Sequence, residues 1–419
     1  HMVEDWEISS YRGFLNSNCV TIAEVLREND YKTIMAGKWH VGDDREHWPD
    51  KRGFDNFFGI PKGGGLYFYP SKFIDRPIFR NIEQVFPDST TFYTTDNFTT
   101  ESISFIGEAN SEDKPFFLYL AYIAPHFPLQ AWPEDISKYE GKYDVGYEEI
   151  RKKRFKRQKE MGIVDVDLRL SPSEYADWNT VDQEIEARKM EVYAAMVDRM
   201  DQNIGRLVKY LKLIGEYENT MILFLSDNGA CAQNLNRSPG AEIGTSKSFE
   251  AYGKNWANVG NTPFRKYKRY EHEGGILTPM IAHWPAGIKE KKRIVKKPIH
   301  IIDIMPTCLN LAGAEYPKTF KGNQIIPMDG RSFAKIFQNK PLPSKRKLFW
   351  EHEGNKAFRE NDWKLVKIHK QSWELYHLKD DPTELENLNK KNTQKAERLE
   401  RMWNRMSKDL EVKDWPVEK

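Results

Sequence analysis

Two short motifs, GKWHVG at residues 37–42 and LSDNG at residues 225–229, each follow an apolar run that is typical of a buried β-strand. In an open α/β sheet, ligands bind beyond the carboxyl ends of the parallel strands. One strand end carries a Lys-x-His pair and the other an Asp-Asn pair. The two motifs therefore predict an enzyme site that holds an anion beside a cation.

The composition limits the classes of function. The chain has 419 residues, is 39% hydrophobic and carries a formal net charge of +2, which suits a large α/β domain with a smaller second one. This charge gives no general basic field and argues against nucleic-acid binding. No run of about 18 apolar residues occurs, so no membrane span is predicted. The basic run at residues 151–159 is interpreted as a solvated helical face in preference to a polyanion site.

Strand and helix patterns alternate through the first 340 residues. The periodicity predicts helices at 21–29, 181–214 and 301–311, and strands at 31–36, 116–122, 221–225 and 278–284. The polar stretch at 230–262 has no clear period, as in a functional lid or a disordered loop. The predicted fold class is α/β, with a large, mostly parallel sheet flanked by helices.

The character of the sequence changes after residue 340. Short strand-like pieces at 348–351, 356–359, 363–368 and 374–377 precede a charged amphipathic helix at 392–410. This pattern predicts a small antiparallel sheet plus one helix. We therefore expect two domains, at 1–340 and 341–419.

Each candidate site residue also has an ordinary structural interpretation. Asp-Asn-Gly after a strand is most often a turn or a helix cap. Lys38 and Lys268 could be surface lysines, and His40 and His126 could be hydrogen-bonded structural histidines. The case for a site rests on their occurrence together, in this order.

In that order, the motifs resemble those of the sulfatase family, within the alkaline-phosphatase-like superfamily. The resemblance covers nearly the whole chain, and the segments that carry it are TIAEVLREN, GKWHVG, GFDNFFG, APHFP, ILFLSDNG, NTPFRKYKRYEHEGG, TPMIAHWPAGI and WELYHLKDDPTELENL.

The resemblance implies a Ca²⁺-dependent hydrolase of sulfate esters. Its nucleophile would be a formylglycine hydrate, made from the Cys or Ser of a Cys/Ser-x-Pro-x-Arg motif. Asp227 and Asn228 match two metal ligands of the family. Lys38 and Lys268 match lysines that hold the sulfate oxygens. A divalent cation and two ammonium groups suit this reaction because charge builds up on those oxygens in the transition state.

The histidines and the pocket rim complete the expected site. By resemblance, His40 lies beside the formylglycine hydroxyl and His126 assists departure of the alcohol. Trp256, Tyr267 and His352 are candidate substrate-binding residues that could stack on a sugar or hydrogen-bond to it. Ordinary packing between the two domains explains these three residues equally well. The expected partner is a sulfated small molecule or glycan.

The chain departs from the family pattern at its start. The family carries the nucleophile motif and a pair of aspartate ligands upstream of the TIAEVLREN helix, but only 20 residues precede Thr21 here. Cys19 is followed by Val-Thr-Ile, and no other Cys or Ser fits the motif. An expressed fragment, an incomplete reading frame and a naturally shortened relative all explain this departure. We expect an N-terminally truncated chain with little or no turnover.

The absent segment would also supply a central strand of the sheet. Its loss should leave unpaired backbone groups and exposed apolar surface. We therefore expect a chain that is less stable than the family norm, or an oligomer or other partner that covers this edge. The compartment is not encoded in these residues, although the resemblance favours the periplasm or the extracellular space.

Two other functions remain open at this point. A phosphatase or phosphodiesterase of the same superfamily would typically use two metals and several Asp and His ligands, whereas the lysines here suit one metal and a sulfate. A non-catalytic module that binds sulfated glycans would need the same cationic site but no nucleophile.

Overall fold

The computed structural model describes residues 5–343 and 345–416. Its helices are α1 (Ile22–Arg27), α2 (Thr94–Ser111), α3 (Pro133–Ile136), α4 (Gly146–Glu160), α5 (Gln183–Leu213), α6 (Gly253–Gly260), α7 (Glu273–Ile276), α8 (Ile304–Ala312) and α9 (Thr393–Asp409). Its strands are β1 (Lys32–Lys38), β2 (Asn56–Ile60), β3 (Ile78–Arg80), β4 (Glu83–Val85), β5 (Phe116–Ala121), β6 (Ile222–Leu225), β7 (Met280–His283), β8 (Thr319–Phe320), β9 (Asn323–Gln324), β10 (Lys347–His352), β11 (Asn355–Glu360), β12 (Trp363–Lys367) and β13 (Glu374–His377). This arrangement confirms the predicted fold class.

The main sheet has the strand order β4-β3-β2-β1-β5. Strand β1 lies between β2 and β5 and is parallel to both. Gly37 allows this close approach, because at its φ of 132° a Cβ would lie 2.1 Å from the carbonyl oxygen of Ala121. The sheet thus fixes the backbone one residue before Lys38.

A second, two-stranded sheet departs from the expectation of parallel strands. Strands β6 and β7 pair antiparallel, with Phe224 opposite Ile281. The chain turns back into β7 at Thr278, whose hydroxyl donates a hydrogen bond of 2.8 Å to the carbonyl oxygen of Ser226. This contact keeps the start of β7 beside the end of β6.

The C-terminal region forms the predicted antiparallel sheet, in the order β10-β11-β12-β13. Helix α9 packs on this sheet through Leu399 and Trp403, which lie in one apolar cluster with Phe358 and Leu365. The division of the chain at residue 340 stays a prediction.

The stretch at 230–262 is less irregular than its sequence indicated, because α6 forms within it. Trp256, Ala257 and Val259 are buried and supply the apolar side of this short helix. Too few turns are present for the helical period to stand out from the surrounding Gly and Asn residues. The cysteines Cys19, Cys231 and Cys308 are all unpaired. Within the described ranges, no helix has both the length and the apolar character needed to cross a bilayer.

Two strand edges lack a second strand partner among the described residues. Among the described residues, β5 pairs only with β1, and β6 pairs only with β7. Tyr119 on β5 is 46% exposed, Phe224 on β6 is 40% exposed, and Ile281 on β7 is 62% exposed. Partial burial and the negative charge of Asp227, two residues beyond β6, raise the pKa of Tyr119. Open edges with apolar side chains favour association with another strand.

We predict that this apolar surface drives self-association. Replacing Ile281→Thr keeps a β-branched side chain but removes apolar area, so it should lower the concentration-dependent association seen by sedimentation velocity. The free energy of unfolding should change by no more than about 0.5 kcal/mol, as for other exposed positions. Leu213→Gln, at a residue that is 81% exposed on α5, is the matched control and should leave association unchanged. A wild-type chain that stays monomeric at every concentration would contradict the prediction.

Candidate active site

The structure brings the sequence-predicted cations together at the carboxyl ends of β1 and β6. Burial lowers the pKa of Lys38, and the nearby positive charges of Lys268 and Arg76 lower it further, while Asp227 acts in the opposite direction. The charges of these groups therefore act on one another. Lys38, Arg76, Asp227 and Lys268, from four separate segments, therefore form one charged cluster.

His40 lies two residues after Lys38, and contacts with the segment at 61–63 fix its position. Its backbone adopts a positive φ of 59°, and its N–H donates a hydrogen bond of 3.0 Å to the carbonyl oxygen of Pro61. Gly63 leaves room for the ring, because a Cβ there would lie 2.0 Å from His40 Nε2. Burial lowers the pKa of His40 to about 4, with further contributions from Lys38 and Arg76.

His126 follows β5 on the APHFP loop. Its Nδ1 lies 2.7 Å from the carbonyl oxygen of Phe127, so Nδ1 must carry the donated proton and Nε2 is left for a ligand. The Tyr67 hydroxyl, fully buried, donates a 2.6 Å hydrogen bond to the carbonyl oxygen of His126. Burial lowers the pKa of His126 to about 4, the bond to Phe127 acts in the opposite direction, and Lys268 lowers it further. Both site histidines are therefore neutral at pH 7 in the free protein.

Backbone contacts join the loops that carry Asp227 and Lys268. The N–H of Lys268 donates to the carbonyl oxygen of Ala230 at 3.0 Å, and the N–H of Gly229 donates to that of Gly275 at 2.9 Å. A Cβ at Gly229 would lie 1.9 Å from the carbonyl oxygen of Gly274, so the close approach requires glycine. These contacts fix where Asp227 and Lys268 lie relative to each other.

A buried ion trio supports the Lys268 loop from the C-terminal region. Lys364 Nζ on β12 lies 2.6 Å from Glu273 Oε1 and 2.9 Å from Glu384 Oε1. The Lys364 side chain is 0% exposed, and the N–H of Glu273 donates a 2.9 Å hydrogen bond to Glu384 Oε2. Burial raises the pKa of the adjacent Glu271 to about 8, and the positive charge of Lys364 offsets only part of that effect. Burial therefore favours the protonated form of Glu271.

The described residues fit a calcium site only in part. Asp227 offers a carboxylate, and Asn228 donates its Nδ2 to the carbonyl oxygen of Gly229 at 3.0 Å, which leaves Oδ1 as an acceptor. Ca²⁺ takes about six to eight oxygen ligands. Across residues 5–343 and 345–416, no group of three or more His, Cys, Asp or Glu side chains is placed to hold a metal.

The three predicted substrate-binding residues differ in burial and in location. Trp256 does not face the site, because its ring is 1% exposed and its Nε1 donates a 2.9 Å hydrogen bond to the carbonyl oxygen of Glu186. Trp256 is therefore a core residue, and its predicted contact with a sugar is wrong. Tyr267 is half-buried, with its ring centroid 5.4 Å from that of Tyr270. His352 is exposed at the end of β10, on a turn whose Asn355 donates to the carbonyl oxygen of Arg269 at 2.9 Å.

Sequence reasoning missed Arg76, a third cation of this charged cluster. Its Nε donates to the carbonyl oxygen of Gly63, and its charge lowers the pKa of both Lys38 and His40. The residue lies in an irregular segment between β2 and β3, and no spacing in the sequence indicates its role. The long-range fold alone reveals this contribution.

We predict that the ion trio is required for stability. Lys364→Met would leave two buried carboxylates without a cation, which costs about 3–5 kcal/mol in the free energy of unfolding. Lys347→Met, at an exposed position of the same sheet, is the matched control and should cost less than about 0.5 kcal/mol. Urea denaturation measures both variants. A loss below about 1 kcal/mol for Lys364→Met would contradict a paired role for this lysine.

We also predict that a bound anion and the histidine protons are coupled. An anion beside Lys38 and Lys268 offsets their charge, so it raises the pKa of His40 and His126 from about 4 toward the ordinary value. Sulfate binding should therefore take up protons and strengthen as the pH falls from about 7 to 5.

Isothermal titration calorimetry in buffers of different ionisation enthalpy measures this proton uptake. His126→Gln should reduce the uptake, whereas His283→Gln, at an exposed position on β7, should not. Binding that is independent of pH would contradict the coupling.

Comparisons with known proteins agree with this architecture. The Sulfatase family profile matches residues 4–314, and the profile of the N-sulphoglucosamine sulphohydrolase C-terminal region matches residues 264–412. The chain is similar to an uncharacterized sulfatase of Schizosaccharomyces pombe, with 34% identity over 91% of this chain and 75% of that protein. It is also 34% identical to an arylsulfatase of Klebsiella aerogenes, over 77% of this chain and 74% of that protein.

Solved structures show the same fold. The crystal structure of Ps i-CgsB in complex with k-i-k-neocarrahexaose has a TM-score of 0.67 and 27% identity, covering 94% of this chain and 78% of that chain. The profile match spans most of the chain, and the relatives align over about three quarters of their own length. The chain belongs to the sulfatase family.

Proposed function

We propose that the charged cluster of Lys38, Arg76 and Lys268 binds the sulfate group of a sulfate monoester for hydrolysis. One observation carries this proposal. The positive charges of Lys268 and Arg76 act on Lys38, and Asp227 is a carboxylate whose charge opposes them. Such an excess of positive charge stabilises an anion whose charge grows as the ester bond breaks.

The proposed roles are those that the resemblance to the sulfatase family implies for these side chains. Lys38 and Lys268 hold sulfate oxygens, and His126 presents Nε2 toward the leaving alcohol. Because the bound anion raises the histidine pKa, His126 can gain the proton that it donates to the departing oxygen. His40 lies next to Lys38 and would hydrogen-bond to the attacking group.

The nucleophile is a separate requirement. Residues 1–419 contain no Cys/Ser-x-Pro-x-Arg sequence, so no formylglycine can form within them. We propose that these residues bind the ester with little or no turnover, and that hydrolysis needs a nucleophile from outside them.

The proposal also includes a calcium ion as cofactor and a sulfated glycan as substrate. Asp227 and Asn228 would provide two oxygen ligands for Ca²⁺, which would help to neutralise the sulfate oxygens. The substrate class is a sulfated glycan, since the similar Ps i-CgsB was crystallised with a neocarrahexaose and the turn at His352 offers a polar rim. Such a substrate, together with the family, favours a periplasmic or extracellular protein.

We predict that Lys268→Ala weakens binding of nitrophenyl sulfate by about tenfold or more, the usual cost of one charge-assisted hydrogen bond. Lys254→Ala, at an exposed position on α6, is the matched control and should leave binding unchanged. Fluorescence competition, with and without Ca²⁺, measures both variants.

The comparison ligand is nitrophenyl phosphate. Tighter binding of the phosphate ester would favour the phosphatase alternative. A gene extended upstream, expressed with a formylglycine-generating enzyme, should give turnover. Glycan binding without activity in every such version would leave only a binding module.

A further inference from the structure

Two basic segments that are far apart in sequence are adjacent in the structure. Seven of the nine residues at 151–159, on α4, are Lys or Arg, and so are six of the nine at 289–297. Lys296 in the second segment forms an ion pair with Asp165, just beyond the end of α4. Ile294 Cδ1 also lies 3.8 Å from the position that a Cβ would take at Gly162. We call these two segments together the basic surface.

Much of this charge is not neutralised locally. Lys152 is paired with Glu148 at 2.8 Å, but Lys153 is exposed and has no ion pair within the described ranges. In the second segment, Lys292 and Lys297 are also exposed, and neither forms an ion pair within the described part of the chain. The two segments hold 13 Lys or Arg residues and one Glu, whereas the whole chain has a formal net charge of +2, so the rest of the chain is net negative.

The basic surface borders the loop that carries Lys268. Gln158 Nε2, on α4, donates a 2.8 Å hydrogen bond to the carbonyl oxygen of Thr262. Pro263 follows Thr262, and its carbonyl oxygen accepts a 3.3 Å hydrogen bond from the N–H of Ser171. Residues 262–268 therefore connect the side of α4 with the proposed sulfate site.

We propose that the basic surface binds the anionic chain of a sulfated polysaccharide, one ester of which lies in the site of Lys38 and Lys268. This inference rests on the proposed function and extends it from a small ester to a polymer. Helix α4 has 15 residues. It therefore spans about 22 Å, which is long enough to contact several charged sugar units. Holding a polymer here raises the effective concentration of its esters at the site.

A nucleic acid fits the surface less well. Binding of single strands relies on aromatic side chains that stack on bases, but the Phe155 ring is covered by Lys159, whose Nζ lies 4.4 Å from the ring centroid. Exposed Ile294 and Val166 lie among the charges, so an anionic lipid surface is the other ligand that the experiment must test.

The test compares two triple variants of equal charge change. The first is Lys153→Ser, Lys292→Ser and Lys297→Ser. The control is Lys209→Ser, Lys390→Ser and Lys408→Ser, all at exposed positions elsewhere in the described chain. Binding of fluorescent dextran sulfate should weaken by about tenfold or more in the first variant and by less than about twofold in the control, with a steep salt dependence. Both variants should bind nitrophenyl sulfate like the wild type.

Several results would overturn the inference. Equal losses in the two triple variants would show that total charge, not this surface, attracts the polymer. Equal wild-type affinity for a DNA oligonucleotide of the same charge, or for phosphatidylserine vesicles, would assign the surface to another ligand. Failure to bind nitrophenyl sulfate, with dextran sulfate still held through the basic surface, would instead refute the proposed function alone.

Discussion

The site depends on holding like charges together. Lys38, Lys268 and Arg76 repel one another, and the lowered pKa of Lys38 reflects that repulsion together with burial. Each cation is on a different segment, so the fold must offset the repulsion with contacts elsewhere. The backbone bond between Lys268 and Ala230, 3.0 Å long, is one such contact. A receptor assembled in this way is ready for an anion before the anion arrives, which reduces reorganisation on binding.

The C-terminal region acts as the support of this receptor. Arg265, at the start of the Lys268 loop, donates to the Tyr376 hydroxyl at 2.9 Å and to the carbonyl oxygen of Glu384 at 2.7 Å. The ion trio of Lys364 then fixes the end of the same loop. Buried ion pairs add little net stability over apolar packing, but their geometry is specific. The C-terminal sheet therefore helps to position the Lys268 loop, and none of the proposed sulfate-binding cations lies on it.

The sequence predicted what local patterns encode. The Thr21 start of α1 is confirmed as a cap, because its side chain accepts from the N–H of Glu24 at 3.0 Å. The strand ends that carry Lys38 and Asp227 were predicted from buried runs followed by polar motifs. Arg76 was missed because its place depends on a long-range bond to Gly63. The predicted sugar contact of Trp256 is wrong, because the short helix α6 buries this ring and the polar residues around it in the sequence do not indicate that helix.

Asp227 links the candidate site to the open strand edges. It is two residues beyond β6, and its negative charge contributes to the raised pKa of Tyr119 on β5, after burial. Among the described residues, β5 pairs only with β1 and β6 pairs only with β7, so these edges lack a second strand partner. Such edges favour association with another strand. Association here would therefore take place beside the residues that we propose bind the sulfate ester.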